Sequence, residues 1–388
     1  MINFDFKSTV YNASNNLLDK STVYSKFNTY DMIGWDKSID FDITDMKRKV
    51  EEVKEISDVL VVIGIGGSYL GSKAIYDMFS SYFDKSFRVI YCGNSLSSSY
   101  LNDLKKELDK VNFSVNVISK SGNTMEIKLA YNFIKKYMEE RYSSEEVANR
   151  IIMTTGEEGY LREEVNKFGY YNMSIPNDIG GRYSMFTPAH LFPLMFNIDI
   201  DKFINGYNDG VKLKDIAYDY ACVRKSLFDN RKYVENFVCF EEKFNMFNEW
   251  LKQLFGESEG KNNSGILPTS TVFTRDLHSL GQFIQEGNKI LFETFIVVRD
   301  NPSFMVDDKD INSINNSVID AVRSAHYNGG VSVNLIEIDK LNEYDMGSLV
   351  RFFFYAAAFS SILFGVNPFD QPGVEVYKSE VRKRLENV

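Results

Sequence analysis

The feature that most constrains the fold is a run of aliphatic, largely β-branched residues, DVLVVIGI at 58–65, that closes on glycine. A half-solvated strand alternates apolar and polar residues. This run has no polar face and therefore fits a parallel strand covered on both sides by helices. FRVIYCG (87–93), FSVNVIS (113–119) and RIIMTT (150–155) follow, each separated from the next by a helix-compatible segment. The second half repeats the plan more loosely. Its strand candidates are NFVCF (236–240), GILPTSTVF (265–273), ILFETFIVV (290–298) and VSVNLIEI (331–338), with helices near 242–255, 277–286, 311–326 and 345–364. Strands alternating with helices predict doubly wound α/β layers, parallel sheets between two layers of helices.

A chain of 388 residues is longer than one core ordinarily supports, so two such domains are expected. We read an N-terminal arm at 1–45, a first, smaller domain at 46–190, a second, larger one at 191–370 and a C-terminal helix at 371–388. The opening MINFDFKSTVYNASNN has neither a basic nor an apolar leader region, and no unbroken run of 18 apolar residues occurs. The expectation is a cytoplasmic protein with no membrane span. Cys92, Cys222 and Cys239 are far apart and lack CxxC spacing, which fits neither a disulfide framework nor a zinc site. A net charge of −10 disfavours a nucleic-acid partner. It also means that a small anionic substrate must be held by local cations and amides, for which Lys120, Arg182 and Lys378 are candidates.

Two loops have the character of anion sites. GIGGSYLGS (64–72) follows a strand and opens a helix, where free amides and the helix dipole attract negative charge. It is not a dinucleotide fingerprint, because Tyr69 stands at the third glycine position. It is not a phosphate loop of the Walker type either, because Ser72-Lys73 reverses the required order. SKSGNT (119–124) follows the next-but-one strand and offers three hydroxyls, a lysine and several N–H groups within one turn. That donor density suits a phosphoryl group, whereas a helix cap needs only one hydroxyl.

Three further segments carry polar residues that packing does not require. Gly180-Gly181-Arg182 pairs close backbone approach with a fixed donor fork, although an arginine between domains could equally be structural. Leading into residues 245–289, Phe244, Phe247, Leu251, Leu254 and Phe255 recur at helical spacing until Gly256 and Gly260 break the pattern. Gln253 and Glu257 share a face if the helix reaches that far. His278, one of three histidines, begins a later helix. GVNPFDQPGVEVYK (365–378) is a rigid loop leading into a final helix.

Taken together, GIGGS, SKSGNT, GGR, QLFGESEGK with His278 21 residues after Glu257, SLGQFIQEG and the C-terminal motif resemble the phosphoglucose isomerase family of the bacterial type. The resemblance implies two sugar-isomerase-type domains, each a parallel sheet between helices, and a sugar-phosphate substrate with no metal or organic cofactor. It implies that Ser119, Ser121 and Thr124 hold the phosphate with Lys120 beside them, and that Gly67, Ser68, Gln253 and Gln371 contact substrate. Glu257 is then the base that moves a proton between C1 and C2, Arg182 steadies the enediolate, and His278 and Lys378 assist ring opening. Ile127 offers no hydroxyl where some relatives have a further threonine. The family also implies a homodimer in which His278 crosses to the neighbouring subunit, with no nucleic-acid or membrane partner. A dual phosphoglucose/phosphomannose isomerase and a catalytically silent sugar-phosphate sensor are the alternatives; the sensor would need only the SKSGNT loop.

Overall fold

The computed structural model describes residues 1–6, 17–39, 41–83 and 87–385. Residues 7–16 and 40 of the expected arm, and 386–388 of the expected final helix, lie outside them. The strands are β1 (Ile2–Asp5), β2 (Val59–Ile63), β3 (Arg88–Cys92), β4 (Phe113–Ser119), β5 (Ile151–Thr155), β6 (Tyr171–Ser174), β7 (Val234–Cys239), β8 (Leu267–Val272), β9 (Leu291–Val298), a two-residue hairpin β10 (Met305–Val306) and β11 (Lys309–Asp310), and β12 (Val333–Ile338). The chain forms two compact units, Asp31–Ile204 and Met1–Tyr30 with Asn205–Val388.

In the unit Asp31–Ile204 five parallel strands run in the order β3-β2-β4-β5-β6. Every residue of β2, β4 and β5 is buried; β2 is an unbroken apolar run, whereas β4 and β5 also bury Ser114, Asn116, Thr154 and Thr155. The core on one side is filled by Val59, Val61, Val115, Ile127, Ile134 and Met153. Because β3 and β4 flank β2 on opposite sides, the strand order reverses between β2 and β4. Ligands of open α/β sheets bind in the crevice at the carboxyl ends of such strands.

The other unit repeats that order over four parallel strands, β8-β7-β9-β12. Its fifth strand departs from the parallel expectation. β1 pairs antiparallel with β12, Ile2 opposite Ile338 and Asp5 opposite Leu335. The helix Glu343–Leu363 is buried along most of its length and is, by length and composition, apolar enough to cross a membrane. Serines and Arg351 interrupt its apolar residues, so it is not an unbroken apolar run. Its 18-residue apolar window is wholly inside this unit, and Ser348 Oγ donates to Gly206 O at 2.7 Å.

The arm is divided between the units rather than forming one element. Val23 and Phe27 of the helix Lys20–Phe27 are buried, and Phe27 packs edge-on to Phe359 in the unit of the second half. Trp35 instead stacks on Tyr183 at 5.2 Å in the first. The later boundary falls within the helix Ile200–Asp209, beyond residue 190, because Ala189–Leu194 are buried in the first unit.

Candidate active site

β4 ends at Ser119 and the helix Met125–Glu139 begins just beyond the SKSGNT turn. Within the turn, Gly122 N–H donates to Ser119 Oγ at 3.1 Å and Asn123 N–H to Ser121 Oγ at 3.3 Å. Each serine oxygen accepts from the backbone, which leaves its own hydroxyl hydrogen to donate elsewhere. Thr124 occupies the cap position, yet its hydroxyl makes no capping bond. Ser68, Ser119, Lys120, Ser121 and Thr124 line one cavity of about 780 Å³, with Ile127 and the Gly156–Gly159 loop. It lies where the strand order reverses. The Lys120 ammonium donates to Asn177 O at 3.0 Å and Ile179 O at 3.3 Å, so it ties the cavity wall to the segment leading into Gly180-Gly181-Arg182. Burial lowers its pKa from the usual lysine value.

Arg182 is buried in a short turn, Gly181–Tyr183. That turn rests on the turn Gly66–Ser68, backbone against backbone. A Cβ on Gly67 would lie 2.4 Å from the Gly181 carbonyl carbon, so any other residue there would force the two turns apart. Ser184 Oγ is within hydrogen-bond reach of Gly181 O at 2.6 Å and Gly67 O at 3.1 Å. His190, buried in the helix Pro188–Leu194, was not among the residues singled out from the sequence. Its Nδ1 accepts from Ser72 N–H at 2.9 Å, so the ring proton is on Nε2, which lies 2.7 Å from Gly67 O. Burial pushes its pKa down to about 4 and keeps it neutral. A lone histidine in PAHLFP gives no sequence signal of this contact, which depends on three separate segments meeting.

In the other unit the helix Asn245–Glu259 runs past Gly256, where the sequence pattern breaks, and ends at Gly260. One glycine costs a helix only about 1 kcal/mol, and a Cβ here would make no more than an ordinary contact with the Pro268 ring of β8, at 3.6 Å. Gln253 and Glu257 therefore do share a face, and Gln253 Nε2 donates to Glu257 Oε1 at 3.0 Å. Beneath this helix end lies a second group that sequence reasoning missed. Glu259 and Glu235 both bind the fully buried Arg224, Glu235 through Nε at 2.7 Å. Burial pushes the Glu259 carboxyl up.

Lys261, just beyond the helix, lies 2.8 Å from Asp370 and also bonds Asn367 O. The GVNPFDQPG loop, and with it the exposed Gln371, is thereby held near the end of the helix carrying Glu257. Lys378 is on the helix Pro372–Leu385, exposed and 3.2 Å from Glu375. His278 is exposed on the first turn of the helix Leu277–Glu286.

Two parallel sheets of the same strand order between helices, one with a hydroxyl-lined cavity at its switch point, make this a fold of the sugar-isomerase type. The structure superimposes on a hypothetical protein from Thermus thermophilus with a TM-score of 0.81, 24% identity and 94% of both chains covered. It matches a glucose-6-phosphate isomerase from Chlamydia trachomatis with a TM-score of 0.78, 18% identity, 96% of this chain and 76% of that one. The sequence narrows the class further. The phosphoglucose isomerase family model matches residues 37–313, and the glucose-6-phosphate isomerase of Bacillus cytotoxicus is 40% identical over 386 residues, covering 90% of this chain and 86% of that one. The chain belongs to the phosphoglucose isomerase family.

Proposed function

We propose that this chain interconverts glucose 6-phosphate and fructose 6-phosphate, an aldose–ketose isomerisation serving glycolysis and gluconeogenesis. The observation that carries the reading is the Gln253–Glu257 pair at a helix end, in a chain 40% identical to a glucose-6-phosphate isomerase. The phosphate is bound by Ser119, Ser121, Thr124 and the amides of the helix start, with Gly67 and Ser68 beside the sugar. His278 and Lys378 assist opening of the pyranose ring, and Gln371 contacts the substrate. In the open chain the hydrogen on C2 is acidic, being α to the C1 carbonyl. Glu257 takes that proton, the electrons form the cis-enediolate, and Arg182 carries the oxyanion charge; preorganised donors of this kind contribute about 2.7–4 kcal/mol each. The hydroxyl proton on O2 passes to O1, Glu257 returns the carbon-bound proton to C1, and the carbonyl is then at C2. One base suffices.

We extend this reading to a cytoplasmic homodimer in which His278 reaches the neighbouring subunit's site. A coupled assay that follows NADPH formation from fructose 6-phosphate through glucose-6-phosphate dehydrogenase tests the activity; no signal sinks it. The assembly is tested by mixing Glu257→Gln and His278→Ala subunits carrying different tags. A trans arrangement gives each mixed dimer one intact site, and random reassortment then restores about one quarter of wild-type activity. Verified mixed dimers with no activity would exclude the trans histidine.

A further inference from the structure

We infer that His190 is a positioning residue for the isomerase reaction: it clamps the Gly66–Ser68 turn to the Gly181–Tyr183 turn and so sets where Arg182 stands relative to the sugar-phosphate loops. The inference rests on the proposed isomerase reading. Its basis is a set of contacts inside the unit Asp31–Ile204. The ring is buried and bonded at both nitrogens. Nδ1 receives the Ser72 N–H at 2.9 Å, from the helix Leu70–Phe79 that follows the GIGGS loop. Nε2–H reaches Gly67 O at 2.7 Å, and Ser184 Oγ lies 3.1 Å from the same nitrogen. A Cβ on Gly71 would lie 3.1 Å from the ring, so the helix also approaches the imidazole closely.

The consequence is geometric. Gly67 O is the acceptor shared by His190 and by Ser184, and Ser184 also reaches Gly181 O, the residue before Arg182. One neutral imidazole thus fixes the peptide against which the arginine turn is pressed. His190 does not line the cavity, so its effect on the reaction passes through Gly67, Gly181 and Arg182. Displacing a group that must meet developing charge by about 1 Å is enough to slow a reaction about 100-fold. The phosphate loop Ser119–Thr124 lies on a different strand end and does not share these bonds.

Two near-isosteric changes separate the two ring nitrogens. His190→Asn retains an acceptor for Ser72 N–H and loses the donor to Gly67; His190→Gln retains a donor at the Nε2 position. The proposal expects His190→Asn to lower kcat about 10- to 100-fold while the dissociation constant for inorganic phosphate changes less than about threefold. It expects His190→Gln to recover most of the lost kcat. A His190→Asn enzyme that folds and keeps kcat within twofold of wild type overturns it, as does a His190→Gln enzyme as slow as His190→Asn. Should His190→Asn not fold, His190→Gln alone is compared with His190→Ala: a His190→Ala enzyme that folds and keeps kcat within twofold of wild type, or a His190→Gln enzyme as slow as His190→Ala, overturns the clamp. Activity of the wild-type enzyme is measured in the same assay. Its absence counts against the isomerase reading, whereas an active wild type with indifferent variants counts against the clamp alone.

Discussion

In the unit Asp31–Ile204 the Ser119–Thr124 loop stands at the carboxyl edge of its sheet, where β4 hands over to the start of a helix; in the other unit Gln253 and Glu257 stand at the amino edge, in the final turns of a helix that has run back beside β7. Asn248, early in that helix, bonds Phe237 O near the end of β7, while Gly256 meets Pro268 near the start of β8. The strand order is shared, and the edge in use is not. A helix start carries a partial positive charge and unpaired N–H groups, suited to holding an anion; a helix end carries partial negative charge. A carboxylate at a helix start is favoured in its charged form and so weakened as a proton acceptor, a bias of about 0.3–1 kcal/mol that the opposite end lacks. On the proposed isomerase reading, one unit offers a helix start for binding and the other a helix end for proton transfer.

The sheets differ inside as well. The first is packed mainly with aliphatic residues, with Asn116 and Thr154 bonded to each other within it. The second holds Arg224 with Glu235 and Glu259 on one face of β7, and Glu293 with His326 at 2.7 Å elsewhere in the sheet. Tyr220 and Thr294 complete the bonding of Glu235. Two carboxylates around one guanidinium leave the cluster dependent on the arginine.

The contrast between the edges is broken most directly at Glu257. Glu257→Gln keeps the size and hydrogen bonding of the side chain and removes the base, and kcat should fall by about 10² to 10⁴ with little change in substrate affinity. Turnover within threefold of wild type would remove Glu257 from proton transfer. The contrast between the cores is next. Arg224→Met strands two buried carboxylates and should lower unfolding stability by about 3–5 kcal/mol in urea denaturation; a loss under 1 kcal/mol would mean the cluster rearranges around the gap. The first unit has a smaller pH-dependent counterpart. The pKa of His190 is about 4 when folded, against 6.5 ordinarily, so the unfolded chain takes up the proton first. Its contribution is complete above about pH 6.5 and lost as the pH falls towards 4. The stability gap between wild type and His190→Asn should therefore narrow by about 2–3 kcal/mol between pH 7 and 4.5; a gap independent of pH contradicts a neutral buried ring. Smallest is the binding edge. Ser119→Ala with Thr124→Ala should weaken inorganic phosphate binding roughly 10- to 100-fold by calorimetry. Unchanged affinity would put the phosphate elsewhere.

What was legible from residues alone follows the same physics. β2 announces itself because its run has no polar position, and β4 and β5 through their β-branched residues, although both also bury polar side chains such as Asn116 and Thr154. β1 and β6 do not, since INFD and YNMS are four-residue edge strands with no sustained pattern. Gly256 reads as a helix end because glycine is a poor helix former, yet one glycine costs only about 1 kcal/mol and the helix packed against β8 runs through it. The SKSGNT loop was readable because its donors are adjacent in sequence. The Arg224 cluster and the His190 contacts were not, because each gathers residues that no local spacing connects.

The antiparallel edge strand has a consequence for how the molecule is made. Residues 2–5 leave the ribosome well before β12 at 333–338, with which they pair, and the whole of Asp31–Ile204 emerges in between. At about 5–20 residues per second, the delay between the two strands is roughly 15 to 70 s. Asp31–Ile204 is a continuous stretch and can close its sheet during that interval. The other sheet keeps an open flank until β12 has emerged, and the tetrapeptide that seals it waits through the synthesis of everything in between.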